Sequence, residues 1–420
     1  MLDRKYVREH VDEVEQAIRA KGYAGDLKRY CELDRQLLEY QRERESIQKE
    51  KNAVSARIVR ATSQEKRRLI EEMKTKDARS DELKRTAQAL EDELASLGAE
   101  LPNLPRPDVK IGQNGEENEI LREVGAKPPF QFPVQDYLTV AEKLDLIDMR
   151  RAAKASGSRF GYIKGELVQL QFALVQYALS VLLPRGFRPV VPPVLVKESA
   201  MAAMGYLAAH GDEETYHLIR DGLFLVGTSE QSIGPMHGGE IFAKNDLPIR
   251  YVAYSTCFRR ESGSYGKDTK GILRVHQFDK LEMFSFTDTA TSDQEHEFLL
   301  SMEEQLLQGL QLPYRVVKMV TGDLGVPAAR KFDIETWLPS RGTYRETHST
   351  STCTDYQSRR LNIRYKDGAL TKFVHTLNGT AFAIGRTLIA IIENYQTQQG
   401  GIRVPEVLQP YVPFKVIGQE

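Results

Sequence analysis

Between Leu69 and Leu101 the chain spaces one set of residues at alternating steps of four and three. Leu69, Met73, Lys76, Ser80, Leu83, Ala87, Leu90, Leu94, Leu97 and Leu101 follow this rhythm, and every member after Ser80 is apolar. A repeat of about 3.5 residues keeps one face of a helix turned toward a partner helix, which is the requirement for a coiled coil. An earlier run keeps the same steps with less regular occupancy: Tyr30, Leu33, Leu37, Tyr40, Arg44, Ile47, Lys51, Val54 and Ile58. Between the runs, Thr62-Ser63-Gln64-Glu65 reads as a capping box, with Thr62 accepting from the backbone of Glu65 and Glu65 reaching back to Thr62. Two helices that share a seam type and are separated by a start signal are expected to reverse and pack antiparallel. Roughly 35 residues at about 1.5 Å each would give an arm on the order of 50 Å long.

Charge is unevenly spread along this arm. From Arg57 to Lys76 seven bases (Arg57, Arg60, Lys66, Arg67, Arg68, Lys74, Lys76) face three acids, so the tip carries +4. Residues 27–45 and 81–100 together hold seven bases and eleven acids, so the root carries −4. Phosphate would be drawn to the far end, although a solvated helical hairpin also needs charges on its surface. The whole chain has a formal net charge of −1, so any nucleic-acid site must come from such local segregation.

Before the arm, residues 2–22 read as one short amphipathic helix with Val7, Val11, Val14 and Ile18 on one face, ending at Gly22 and packing at the arm's base. After it, Leu101-Pro102-Asn103-Leu104-Pro105-Arg106-Pro107 cannot continue a helix and marks a boundary. The expected organisation is an N-terminal domain over 1–101, a linker over 102–112 and a second domain over 113–420. Three cysteines, Cys31, Cys257 and Cys353, form no CxxC pair and have no histidine at zinc-ligand spacing. No apolar h-region opens the chain, and no run of about 18 uninterrupted apolar residues occurs, so a soluble cytoplasmic protein without a membrane partner is expected.

Beyond residue 112 the pattern changes to short β-type runs: Phe224–Val226, Arg250–Tyr254, Lys280–Phe286 and Tyr314–Met319. Helices are expected over 164–184, 291–310 and 385–396. Without regular βαβ alternation, the fold class is α+β: an antiparallel sheet flanked by helices, carrying an N-terminal antiparallel α-helical coiled-coil arm. No GxxxxGK[ST] loop and no strand-linked GxGxxG is present, so a nucleotide would have to be held by side chains. Cys257-Phe258-Arg259-Arg260-Glu261 and, after a glycine-rich loop, Arg274-Val275-His276-Gln277-Phe278 with Glu282 offer two arginines, acids and an aromatic on two runs that can form a hairpin. These are the residue types an ATP site needs. By composition alone a salt-bridged surface hairpin is the favoured reading.

Phe258-Arg259-x-Glu261, the loop Ser262–Gly271 and Arg274-x-x-x-Phe278 resemble motif 2 of class II aminoacyl-tRNA synthetases in its seryl form. Thr228-Ser229-Glu230 is similar to that family's serine-binding triplet, His375–Thr380 running to Gly385-Arg386 to its third motif, and the Pro192 region after Gly186-Phe187 to its first. The tail Val404–Leu408, the arm and the proline-spaced linker sit where the family has them.

The resemblance implies ATP-dependent activation of L-serine and its transfer to the 3′ end of tRNA(Ser), with tRNA(Sec) a further acceptor to consider. It implies Arg259, Glu346 and Arg386 as catalytic residues, with Arg259 on the α-phosphate and Arg386 on the γ-phosphate end. Thr228, Ser229, Glu230, Arg259, Glu282 and Thr380 would surround serine. Arg260, Glu261, Val275, Phe278, Thr347, His348 and Ser349 would join the three catalytic residues around ATP, and Glu346 with Ser349 would hold Mg²⁺ through ATP. The basic tip (Arg57, Arg60, Lys66, Arg67, Arg68, Lys74) would bind tRNA, and the first-motif region would form a homodimer.

Departures from the family pattern are Ser229, His348, Thr352, Ala381 and the acidic loop 208–215. Single residues outside the pattern have plain readings: His276 and His375 as structural hydrogen-bonding residues, Trp337 as core and Cys257 as a buried small residue. Two other functions remain open. One is a paralogue that passes an aminoacyl adenylate to a non-tRNA carrier, for which the basic-tipped arm has no use. The other is a non-catalytic tRNA-binding protein, for which Arg259, Glu261, Glu346 and Arg386 have none.

Overall fold

The computed structural model describes residues 2–23, 25–208, 211–262 and 270–419. The chain forms two compact units, Met1–Arg19 with Tyr23–Pro102, and Ala20–Gly22 with Asn103–Glu420.

In the first unit the single helix expected over 2–22 is two helices, α1 (Arg4–Glu9) and α2 (Val11–Ala20). His10 leaves helical geometry (φ −132°, ψ 43°) and stacks on Tyr6 at 4.4 Å, while the Tyr6 hydroxyl donates to Glu13 across the break. Val7, Val14 and Ile18 are buried, but Val11 sits at the junction and is only half-buried. Arg4 and Arg8 converge on the fully buried Asp34, which fastens α1 to the next helix by charge-assisted bonds.

The heptad runs form α3 (Leu27–Ile58) and α4 (Ser63–Glu100). Their seam buries Leu33, Leu37, Ile47 and Val54 against Leu69, Leu83, Ala87 and Leu94. Ion pairs Arg29–Glu93, Glu43–Arg79 and Lys51–Asp77 fix the antiparallel sense, since one number rises as the other falls. Each fully buried Leu contributes about 1.5–3 kcal/mol, against about 0–1 kcal/mol for an exposed pair. The seam therefore dominates, and Lys51 is accommodated in it by pairing outward with Asp77. Thr62 occupies the N-cap of α4 with extended backbone, but its side chain makes no capping bond, so the expected capping box is not formed. At this exposed turn water can serve the first N–H groups.

In the second unit the main elements are β1 (Glu119–Val124), α5 (Glu166–Leu182), β2 (Phe187–Val190), α6 (Glu198–Met204), β3 (Ile249–Phe258), β4 (Gln277–Thr287), α7 (Ser292–Gly309), β5 (Tyr314–Lys318), β6 (Arg330–Leu338), β7 (Thr343–Thr354), β8 (His375–Ala383) and α8 (Ile384–Asn394). Among the described residues the strands β1–β8 form one sheet in the order β1-β5-β6-β7-β8-β4-β3-β2. Every pairing is antiparallel except β2 with β3. Leu170 and Leu174 of α5, Leu299 and Leu306 of α7 and Leu388 and Ile391 of α8 share one core with Leu281, Leu377 and Phe382 of the sheet. Trp337, expected in the core, is half-buried. It packs edge-on to Tyr344 at 5.2 Å, with the Lys127 ammonium 4.0 Å from its ring.

Two irregularities in the middle of the sheet matter for the site. The register of β6 with β7 slips so that Ile334 faces His348 and Glu335 faces Glu346, leaving Thr347 as an extra residue. The register of β4 with β8 slips so that Leu281 faces Phe382 and Glu282 faces Thr380, leaving Ala381 extra. Such bulges re-aim the side chains beside them.

Candidate active site

A cleft of about 270 Å³ opens on the sheet over β4, β6, β7 and β8. The two arginine-bearing runs do form neighbouring antiparallel strands, with Cys257 opposite Phe278 and Phe258 opposite Gln277. Pairing continues past the strand ends: the Arg259 N–H donates to the His276 carbonyl, and His276 Nδ1 lies 3.0 Å from the Arg259 carbonyl. His276 is thus a structural hydrogen-bonding residue beside the cleft. Arg259 is held from the other side by its Nε donating to the Gly227 carbonyl at 3.2 Å, and its guanidinium lies 5.3 Å from the Phe278 ring centre.

Charges on the cleft wall are mostly paired. Arg274 bonds Glu261 at 2.5 Å, Lys280 pairs with Glu282 at 2.6 Å, and Arg386 pairs with Glu346 at 3.0 Å. Among the described residues that leaves Arg259, bonded to a neutral carbonyl, and Glu230, whose Oε2 has no partner. A cleft with one cation outside any ion pair and one carboxylate oxygen without a partner suits a ligand with a carboxylate or phosphate at one end and an ammonium at the other.

The acids are tuned in opposite directions. Burial raises Glu230 to about 7 and the nearby Glu282 adds to the rise, against the pull of Lys280 and Arg259. For Glu346 burial works upward too, yet Arg386, Lys331 and Arg259 overcome it and hold the carboxyl at about 2. Its side chain remains 45% exposed, open to a ligand. Asp333, under the floor beside Lys331 at 3.2 Å, is raised to about 7 by burial.

Of the residues the sequence singled out, Glu230, Arg259, Glu261, Val275, Phe278, Glu282, Glu346, Thr347, Ser349, Thr380 and Arg386 line this cleft. Four do not. Thr228 is buried behind it, where its hydroxyl receives the Glu230 N–H at 3.5 Å, and Ser229 is buried with no partner for its Oγ among the described residues. Arg260 is exposed, with its guanidinium 6.0 Å from the Tyr216 ring centre and its N–H donating to the Glu214 carbonyl. His348 points into the protein. Residues 263–269 of the motif loop lie outside the described residues. Tyr206, Lys280, Lys331 and Ser351 also line the cleft, although no motif marked them, and Asn378 reaches it from within the third-motif stretch.

His348 and Ala381, two of the departures, turn out to meet. His348 Nε2 lies 3.0 Å from the Ala381 carbonyl and Nδ1 2.9 Å from Thr347 Oγ1, which is in turn 2.7 Å from Thr336 Oγ1. Burial lowers the imidazole to about 4, so it is neutral, donating to the carbonyl and accepting from Thr347. One side chain thereby ties the extra residue of β7 to the extra residue of β8, between Glu346 and Thr380. Thr352, a third departure, is buried and its hydroxyl receives the Thr354 N–H at 3.4 Å. His375 is half-buried on β8, and burial lowers its pKa; Cys257 is fully buried, and burial raises its thiol. The basic residues expected to bind tRNA lie around the α3–α4 turn, with Arg57, Arg60, Lys66, Arg67, Arg68 and Lys74 all exposed.

A mostly antiparallel sheet carrying an arginine-rich, side-chain-built cleft defines the catalytic core of a class II aminoacyl-tRNA synthetase. Residues 216–395 match the family model "tRNA synthetase class II core domain (G, H, P, S and T)", and residues 1–105 match "Seryl-tRNA synthetase N-terminal domain". The chain is 43% identical over 415 residues to a serine–tRNA ligase of Clavibacter michiganensis subsp. michiganensis, covering 98% of this chain and 96% of the relative. It is 42% identical over 419 residues to that of Thermobifida fusca, covering 99% of both. The crystal structure of seryl-tRNA synthetase from Pyrococcus horikoshii complexed with ATP superposes with TM-score 0.92 at 35% identity, covering 99% of both chains. The chain belongs to the seryl-tRNA synthetase family.

Proposed function

We infer that the chain is a serine–tRNA ligase that makes seryl-adenylate in the cleft and passes the seryl group to tRNA. The observation that carries this reading is the pair Arg259 and Glu230, neither with an ion-pair partner among the described residues and Glu230 with one free oxygen, in a cleft whose other ionised groups are matched. The serine ammonium meets Glu230, and its hydroxyl lies between Glu282 and Thr380. Thr380 already donates to Glu282 at 3.3 Å. Thr228 and Ser229 serve from behind, by shaping the turn that presents Glu230.

The serine carboxylate attacks the α-phosphorus of ATP and pyrophosphate leaves. Arg259 neutralises the charge that builds on the phosphoryl oxygens, and Arg386 turns from Glu346 to the γ-phosphate. Phe278 and Val275 flank the adenine, with Glu261 at its edge. The terminal adenosine of the tRNA then takes the seryl group and AMP departs. No covalent enzyme intermediate is needed, and positioning supplies much of the rate.

Mg²⁺ fits the site as an ion held by one carboxylate plus phosphate oxygens and water. Glu346 stays ionised and accessible, with Ser349 beside it on β7. The ion supplies charge neutralisation on the phosphates; the protein residues orient them.

The N-terminal domain over 1–101 grips tRNA with its basic tip, and the catalytic domain spans 113–420. A homodimer is supported by apolar exposure around the outermost strand β2: Phe172 is 50% and Val191 81% exposed. They line one apolar groove with Val175, Leu179 and Tyr254. A cytoplasmic enzyme without a membrane is the proposed setting. Glu166–Arg185 is apolar and long enough to span a bilayer, but it packs into the core through Leu167, Leu170 and Leu174.

The test is aminoacylation of tRNA(Ser) with labelled serine by wild type, Arg259→Ala and Glu230→Gln. Arg259→Ala is expected to lower kcat by about 10²–10³-fold, the usual cost of removing one oxyanion donor. Glu230→Gln should act mainly on serine KM. Wild-type rates in both variants would refute the assignment.

A further inference from the structure

Tyr206 lines the serine end of the cleft, and its hydroxyl donates to Glu230 Oε1. The backbone holds this side chain in place. Helix α6 ends in Gly205 with φ +87°, a left-handed turn that glycine adopts without strain, and the following Tyr206 N–H bonds back to the Met201 carbonyl. The side chain packs against two apolar clusters, one containing Met201, Phe224 and Val226 and the other Ile233 and Phe284. Glu230 is buried, and with Oε1 occupied its Oε2 is the one oxygen left without a partner among the described residues.

We propose that Tyr206 is a positioning residue for amino-acid recognition: its hydroxyl occupies one oxygen of Glu230 and thereby presents the other to the ammonium of serine. This deepens the reading of Glu230 as the ammonium acceptor and rests on it. A carboxylate that can rotate about its terminal bond offers its ligand two oxygens in shifting directions. One that already accepts a fixed donor offers a single oxygen in one direction, so less ordering is required when serine binds.

The same bond favours the ionised form. The groups facing Glu230 are Glu282 and Lys280 from β4, Arg259 after β3, Cys353 at the end of β7 and Tyr206 itself. Burial and Glu282 push the carboxyl up, while Lys280, Tyr206 and Arg259 pull it down. The tyrosine stays a donor, because burial and Glu230 raise its own hydroxyl well above the usual range. Without the phenol oxygen, Glu230 would hold its proton to higher pH, and a neutral carboxylic acid is a poor partner for an ammonium.

The experiment is serine-dependent ATP–pyrophosphate exchange by full-length wild type, Tyr206→Phe and Glu230→Gln at pH 6.5 and 8.5. Phenylalanine keeps the ring, and an unchanged KM for ATP reports an intact site. Tyr206→Phe is expected to raise serine KM about tenfold at pH 6.5, the scale of one bond to a charged group, with kcat within about threefold. The ratio of variant to wild-type KM should fall at pH 8.5, where Glu230 is ionised in both; serine's own titration cancels in that ratio. Glu230→Gln should raise KM at both pH values. A Tyr206→Phe ratio near one, or one equal at both pH values, overturns the positioning role while leaving the Glu230 reading standing. Unchanged serine KM in Glu230→Gln overturns that reading itself.

Discussion

Replacing His348 by alanine tests whether the two bulges beside the active site are held by one imidazole. The Ala381 carbonyl lies beyond the residues that pair with β7 and is skipped by the register with β4, so His348 Nε2 is its partner. Truncation leaves that buried carbonyl unserved, at about 1–3 kcal/mol. The hydroxyl of Thr347 has a fallback, the Ile334 carbonyl at 3.4 Å, and adds little. Lost packing against Phe382, whose ring centre is 5.8 Å away, adds about 1 kcal/mol. A total near 3 kcal/mol, set against an unfolding entropy of about 2.1 cal/mol/K per residue over some 320 residues, lowers the melting temperature by about 4 °C. Differential scanning calorimetry of full-length protein reads this in the transition of the larger unit, followed separately from the arm because two units need not melt as one. Serine-dependent exchange should fall by more than the folded fraction, since Glu346 and Thr380 flank the released bulges. A melting temperature within 1 °C of wild type, with unchanged exchange, would refute the bridge.

Further outcomes are expected. His348 and His296 are both neutral when folded, with burial lowering them to about 4 and about 3 against an ordinary value of 6.5. The unfolded chain therefore binds more protons below that value, and stability should fall as pH drops from 6.5 toward 4, at up to about 1.4 kcal/mol per pH unit for each histidine. Urea melts at stepped pH check this, and His348→Ala should show a shallower slope. Deleting residues 31–98 should spare ATP–pyrophosphate exchange and abolish tRNA charging; equal loss of both would contradict the division of labour. Replacing Arg57, Arg60, Arg67 and Arg68 by glutamine should raise KM for tRNA and flatten its dependence on salt by about 0.7–0.9 in slope per lost phosphate contact.

The arm was legible because its signal is a period: buried Leu33, Leu37, Leu83 and Leu94 fall on the steps the sequence displays. Two local signals in the N-terminal region misled. The break at His10 depends on a Tyr6 ring that stacks on it, and the Thr62 cap lost to solvent. Arg259, Phe278, Glu346 and Arg386 were found through motif resemblance, and the sheet register then explains why they face one cleft. Arg260 and His348 sit next to cleft residues in sequence, but strand alternation and the bulge at Thr347 turn them away. Tyr206 and Lys331 carried no signal: they reach the cleft from a turn after a short helix and from a neighbouring strand, contacts that only tertiary structure creates. Trp337 looked like core by residue type alone, and its place on β6 beside Lys127 and Tyr344 leaves it half-exposed.

The measurement closest to the central claim is amino-acid-dependent ATP–pyrophosphate exchange by wild-type protein, run with each of the twenty amino acids in the absence of tRNA. Exchange with serine, and at least about tenfold less with alanine and threonine, is the outcome that Arg259, Glu230 and the Glu282–Thr380 pair lead to. Exchange with a different amino acid, or with none, would contradict the assignment of this cleft.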